Sequence, residues 1–410
     1  MDDPRASGTI TFAFSADAFP PTGAGVQFGT MRIENDGGAW TGPCAGGSEY
    51  LGDPYVGSCW LIGSGDYEGY TYYRQHIWGP SVADRAITEG LIFPGVPPTE
   101  YPELPAPTSE SSGEAPTPAL AETIGEPADS GARIVDVEEL DERMVDLTID
   151  SPAVGTQKVR LLLPAGFDLG ADADWPVLYL LHGGGNDYLS WTLETDVEEL
   201  TADLDLLVVM PEAGAAGWYA DWWNGGEGGP PMWEAFHVTE VRELLERNWQ
   251  AGDDRAVAGL SMGGLGAMSY AARHPGLFKA AAAFTGVLHP TTLDPITLGF
   301  DIPLQVWGGR TEQSDIWEAH DPVLLADALE GIPLYVSYGN GEPGPLDPAD
   351  AGFDDLEAGL AKMNEAFVRR LGELGISATV DAYGPGTHTM PYVERGLHEA
   401  MPMLLEALGM

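Results

Sequence analysis

Along the first 93 residues, hydrophobic and polar positions alternate in short runs broken by glycine, at 9–14, 27–33, 59–62, 70–76 and 87–93. A period of two with frequent turn residues predicts a small antiparallel β domain over 1–93. From 94 to 131 Pro, Glu, Ser, Thr and Ala dominate. Such a stretch buries too little apolar surface to order itself, so an extended linker is expected there. From 132 to 410 the pattern switches between strand-like and helix-like periods. Strands are expected at 145–149 and 158–163 as an opening hairpin, then at 176–181, 206–210, 255–259, 280–284, 333–338 and 378–383. Helices are expected near 196–202 and over 232–248, 262–274, 353–374 and 394–408. This predicts an α/β domain: a mainly parallel sheet of about eight strands, covered by helices on both faces.

Charge removes whole classes of partner. Sixty-four acidic against 18 basic side chains in 410 residues leave a net charge of −46. That surface repels nucleic acid and anionic lipid headgroups alike. No run approaches the roughly 20 apolar residues that cross a bilayer, so no membrane insertion is expected. Cys44 and Cys59 are the two cysteines, close together in the glycine-rich β region. They are expected to form a disulfide, which points to an exported protein whose signal peptide is not part of this sequence.

The candidate chemistry lies in the second domain. Gly259-Leu-Ser261-Met-Gly263-Gly264 is a G-x-S-x-G element directly after a predicted strand and directly before a predicted helix. That context makes Ser261 the candidate nucleophile, raised above the sheet on a tight turn at a helix N-terminus. An acyl-transferring serine also needs a base and an oxyanion hole. Leu180-Leu-His182-Gly-Gly184-Gly closes the strand at 176–181, and bare glycines let backbone N–H groups approach an oxyanion. The amides of Gly184 and Met262 are assigned to the hole, with His182 in an orienting or packing role. In this architecture the acid follows the serine and the histidine comes last. His388, just past the last strand, is the candidate base. Asp347 is the candidate acid, with Glu342 as the alternative, both in the loop after the strand at 333–338. Trp191, Tyr219, Trp222, Trp223 and Met390 are the candidate substrate-binding wall. No metal-ligand spacing, phosphate loop or dinucleotide fingerprint appears, so no cofactor or metal is expected.

Several elements occur in the same order as in a known group: Asp187-Tyr188 with Trp191, Val208-Val-Met-Pro211, Tyr219-Ala-Asp221-Trp222, Gly259-Leu-Ser-Met-Gly263, Tyr338-Gly-Asn-Gly341 and Gly386-Thr-His388. From about residue 136 onward the chain resembles the putative-esterase (esterase D-like) branch of the α/β-hydrolases, and within it the mycobacterial mycolyltransferases. The resemblance implies an α/β-hydrolase fold, with Ser261 as nucleophile and His388 as base. The family's acid, a glutamate shortly after the Gly-Asn-Gly, matches Pro345 here, which leaves Asp347 or Glu342 for the role. An arginine kept after the oxyanion loop of the mycolyltransferases is absent, and Met390 replaces their aromatic residue after the histidine. Those departures disfavour trehalose mycolyl transfer and leave ester hydrolysis. Residues 63–69 and 89–95 are similar to small β-barrels of the allene-oxide-cyclase-like kind. The expectation is therefore a serine carboxylesterase acting through an acyl-enzyme on a small or polymeric ester, with aryl, acyl-sugar and polyester substrates as candidates. An acyltransferase on the same residues and a non-catalytic binding protein are the alternatives.

Overall fold

The computed structural model describes residue 5 and residues 9–19, 24–48, 55–78, 87–94, 125–169 and 173–410. It divides into two compact units, Met1–Gly113 and Glu114–Met410. Most of the expected linker lies outside the described residues.

The first unit carries strands β1 (Thr9–Phe19), β2 (Ala24–Asn35), β3 (Gly38–Ser48), β4 (Tyr55–Gly65), β5 (Tyr70–Trp78) and β6 (Ile87–Pro94), paired in chain order. Every pairing is antiparallel. Alternation sends Met31, Ile33, Trp40, Leu61 and Tyr72 into one core, while Trp60 and Ile62 stay exposed. Strand β3 escapes the sequence pattern because glycine fills four of its 11 positions and proline another. Cys44 lies directly opposite Cys59 in the β3–β4 register, and Cys59 is disulfide-bonded.

The second unit holds one nine-stranded sheet in the order β15-β14-β13-β12-β10-β11-β9-β8-β7. Its strands are β7 (Arg133–Glu139), β8 (Met144–Ser151), β9 (Gly155–Leu162), β10 (Trp175–Leu181), β11 (Leu207–Pro211), β12 (Ala251–Leu260), β13 (Ala280–Phe284), β14 (Leu334–Gly339) and β15 (Thr379–Gly384). Pairings from β7 to β11 through β8 and β9 are antiparallel. The remainder, from β11 through β10 to β15, are parallel. Sequence alone predicted one strand fewer, because β7 buries only Ile134 and Val137 and a bulge between Ile134 and Asp136 breaks its alternation.

Period-two alternation splits the core into two layers. Val177, Tyr179 and Leu181 face one cluster, together with the helices Met262–Arg273 and Asp355–Leu374. Leu178 and Leu180 face the other, together with Met390–Ala407. Strands β11, β13 and β14 are buried at every position, as sheets covered on both sides require. All parallel strands end at one edge, and the loops leaving them carry His182, Ser261, Thr285, Asn340 and His388. Open α/β sheets bind ligands at this edge.

Candidate active site

Between the end of β12 at Leu260 and the start of the helix at Met262, one residue turns the chain. Ser261 does so with φ 54° and ψ −116°, a conformation that costs an L-residue about 1–3 kcal/mol. The sheet holds it there. The Ser261 N–H donates to the Phe284 carbonyl at 3.0 Å, and the Ser261 carbonyl accepts from Val287 at 3.1 Å and Gly264 at 3.0 Å. The flanking glycines are required by close approach. A Cβ on Gly259 would stand 2.2 Å from the Gly263 carbonyl oxygen, and one on Gly263 would stand 2.2 Å from that of Leu181.

Ser261 and His388 line one cleft of about 410 Å³, together with Gly183, Gly184, Leu260 and Met390. Asn186 and Glu194 form its polar rim, joined by a 3.3 Å hydrogen bond. The Gly184 and Met262 amides donate to no protein group among the described residues. Met262 opens a 12-residue helix, so its N–H is one of the unsatisfied donors at a positive helix end.

The carboxylate beside His388 belongs to Glu357, and the structure corrects the choice of Asp347 or Glu342. Glu357 Oε2 lies 2.9 Å from His388 Nδ1. Glu357 is fully buried, and its oxygens are met on every side. The Gly339 N–H donates to Oε1 at 2.6 Å, the Tyr383 hydroxyl donates to Oε1 at 3.4 Å, and the Thr285 hydroxyl donates to Oε2. A buried carboxylate is tolerable only with such a set of donors. With Glu357 accepting at Nδ1, the other ring nitrogen of His388 is free to act as a base.

Asp347 instead braces the loop that carries His388. It accepts from the Gly344 N–H at 2.8 Å, the Tyr392 hydroxyl at 3.0 Å and the Thr387 hydroxyl. Burial alone would raise its pKa, but the donors from Thr387, Gly344 and Tyr392 outweigh that and hold it below the usual carboxylate value. Glu342 is exposed in the same loop.

The aromatic wall expected from sequence is mostly core. Trp191 is fully buried, edge-on to Phe284 at 6.1 Å. Tyr219 is fully buried too, and donates its hydroxyl to the His182 carbonyl at 2.8 Å. Trp222 and Trp223 are half-buried but do not line the cleft, and the Trp222 indole donates to Gly217 at 3.1 Å. Of the five, Met390 alone is a cleft residue.

His182 is buried beside the glycine loop. Its Nε2 accepts the Ala213 N–H at 2.9 Å and its Nδ1 lies 2.8 Å from the Gly183 carbonyl, so the proton sits on Nδ1. Burial pushes its pKa down and keeps the ring neutral under the glycine loop. The other histidines of this unit are committed elsewhere: His237 to Tyr270 and Glu212, His274 to Glu234, His289 to Asp321, His320 to Ile316 and His398 to Asp196.

Glu357 escaped the sequence reading although a signal for it exists. It begins the buried stripe of its helix, in line with Leu360, Asn364, Phe367 and Leu371. An acid at the head of an apolar helical face needs a partner, and that need is legible in the residue pattern alone.

Known proteins resemble this chain in sequence and in fold. The family described as "Putative esterase" matches residues 153–401. Esterase Rv1288 of Mycobacterium tuberculosis is 32% identical over 274 residues, covering 62% of this chain and 57% of that protein. The match thus spans little more than half the length of that relative. The diacylglycerol acyltransferase/mycolyltransferase Ag85B of Mycolicibacterium smegmatis is 29% identical over 281 residues, covering 64% of this chain and 85% of that protein. Among solved structures, Mycobacterium tuberculosis MPT51 shares the fold with a TM-score of 0.51 at 22% identity, covering 67% of this chain and 99% of that one. Because the matched span takes in more than half of the chain and contains Ser261, Glu357 and His388, the protein belongs to the Putative esterase family.

Proposed function

We propose that the Glu114–Met410 unit is a serine carboxylic ester hydrolase. The observation that carries this reading is the Glu357–His388 hydrogen bond of 2.9 Å at the cleft that Ser261 also lines. His388 takes the proton of the Ser261 hydroxyl through Nε2 as Oγ attacks the ester carbonyl. Glu357 holds the ring by Nδ1–H and stabilises the imidazolium that forms. Negative charge on the tetrahedral oxygen is met by the Gly184 and Met262 amides, each worth roughly 100–1000-fold in turnover. Collapse expels the alcohol, which takes the proton from His388, and water repeats the sequence to release the acid.

A cleft of about 410 Å³, floored by Leu260, Met390 and Val393, suits a small acyl group. A second reading, acyl transfer to an alcohol, draws on the alignment with 85% of a mycolyltransferase. Hydrolysis of p-nitrophenyl acetate tests the first, and Ser261→Ala should lower kcat by about 1000-fold or more. Unchanged hydrolysis would refute the serine mechanism. Adding glycerol to that assay separates the two readings, since transfer would divert acetate into glyceryl ester. Export to an oxidising compartment is proposed too, supported by the Cys59 disulfide. A thiol count on the denatured, unreduced protein should find none.

A further inference from the structure

We propose that Asp354 is a positioning residue that holds the acid and the base of this site in register. The inference rests on the ester-hydrolase reading above. Asp354 is the N-cap of the Asp355–Leu374 helix, which delivers Glu357. One carboxylate oxygen, Oδ1, accepts the backbone N–H of Leu356 at 3.0 Å and that of Glu357 at 3.1 Å. The other, Oδ2, accepts the backbone N–H of His388 at 2.7 Å. The Asp354 N–H in turn donates to the Gly341 carbonyl at 2.8 Å, which fastens the cap to the loop at the end of β14. One side chain therefore ties the backbones of both Glu357 and His388, one oxygen to each.

Helix capping by itself does not call for an aspartate. Asn, Asp and Ser cap about equally well, because a single acceptor satisfies the first-turn amides. The second acceptor, aimed at His388, is what aspartate adds. His388 sits outside any helix or strand, in the short loop between β15 and the helix Met390–Ala407, so its ring position depends on such ties. Catalytic geometry is sensitive at this scale, since a displacement of about 1 Å can cost on the order of 100-fold in rate.

The test compares Asp354→Ser, Asp354→Asn and Asp354→Ala in the full chain, with Ser261→Ala as the reference. Serine keeps a capping oxygen but is too short to reach His388. Asparagine keeps one acceptor and turns an amide donor towards the other N–H groups. Three quantities are read: kcat and KM for p-nitrophenyl acetate, the rate at which diisopropyl fluorophosphate labels Ser261, and Tm. For Asp354→Ser and Asp354→Asn the expected result is a kcat and a labelling rate lowered about 10-fold or more, with KM within about twofold and Tm near wild type. Asp354→Ala should lose Tm as well. Wild-type kcat and labelling in the serine and asparagine variants would overturn the proposal and leave Asp354 as a helix cap only. So would rate losses that simply track Tm across the three. Full activity in Ser261→Ala would instead sink the hydrolase reading itself, which separates the two failures.

Discussion

At the residue scale the decisive contact is Glu357 with His388. Gln in place of Glu357 would keep the shape but turn an amide donor towards the Gly339 N–H or the His388 Nδ1–H. Glu357→Gln should therefore lower kcat/KM by about 1000-fold or more, by analogy with the loss of other triad acids. Asp347→Asn and Glu342→Gln should stay within about tenfold of wild type, because neither carboxylate touches His388. Steady-state hydrolysis of p-nitrophenyl acetate checks all of them, and a larger loss at Asp347 than at Glu357 would reverse the assignment. His237 supports a second prediction. Burial lowers its pKa from 6.5 to about 3. Below pH 6.5 the unfolded chain binds a proton there that the folded chain refuses, so stability falls as pH falls from about 6.5 towards 3, by up to roughly 1.4 kcal/mol per pH unit. Urea unfolding of His237→Phe should give a lower stability at pH 7, since bonds to Tyr270 and Glu212 are lost, but a shallower decline between pH 6 and pH 4. Equal slopes in the two proteins would count against a neutral buried His237.

At the element scale, the strand–serine–helix turn leaves no room for a side chain at Gly259 or Gly263. Gly263→Ala would drive a methyl group into the Leu181 carbonyl, forcing β10 away from the helix that begins at Met262. Overpacking of this kind costs about 1–3 kcal/mol, and here it also moves the Met262 and Gly184 amides apart. The urea midpoint and kcat should fall together, and a stable, fully active variant would contradict the tight turn. Regular elements were legible wherever apolar periodicity was uninterrupted, as in β11, β13 and the Asp355–Leu374 helix. Strands β3 and β7 were not, since glycine and a bulge respectively erase their alternation. The helix expected over 232–248 contains a π-helical stretch, Phe236–Val241, which holds His237. Such an insertion leaves the hydrophobic pattern nearly intact, so only the backbone reveals it.

At the scale of the molecule, a net charge of −46 bears on stability more than on chemistry. The proposed reaction uses one buried carboxylate, and the remaining acids mostly repel one another across the surface. Raising NaCl from 0.1 to 1 M shortens the screening length from about 10 Å to about 3 Å. Tm should therefore rise over that range while hydrolysis of a neutral ester persists; a falling Tm would mean that attractive surface pairs outweigh the repulsion. The two units are expected to be separable as well. Residues 114–410 alone should hydrolyse p-nitrophenyl acetate with the kcat of the full chain, since Ser261, Glu357 and His388 all lie within that unit.

Local patterns in the sequence were sufficient for the α/β class, and they carry the proposals of a two-part organisation, a nucleophile and a base. Each of these rests on short-range regularity: apolar periods, a composition shift, a G-x-S-x-G between strand and helix, and a histidine after the last strand. Which carboxylate meets His388, and which aromatics reach the cleft, were decided by the tertiary structure. Glu357 arrives from a helix whose first turn folds back over the ends of β14 and β15, and Tyr219 is drawn into the core by the space that Gly266 leaves. Distance along the chain carries no record of those approaches, because packing between elements, not the order of residues within them, sets which groups touch.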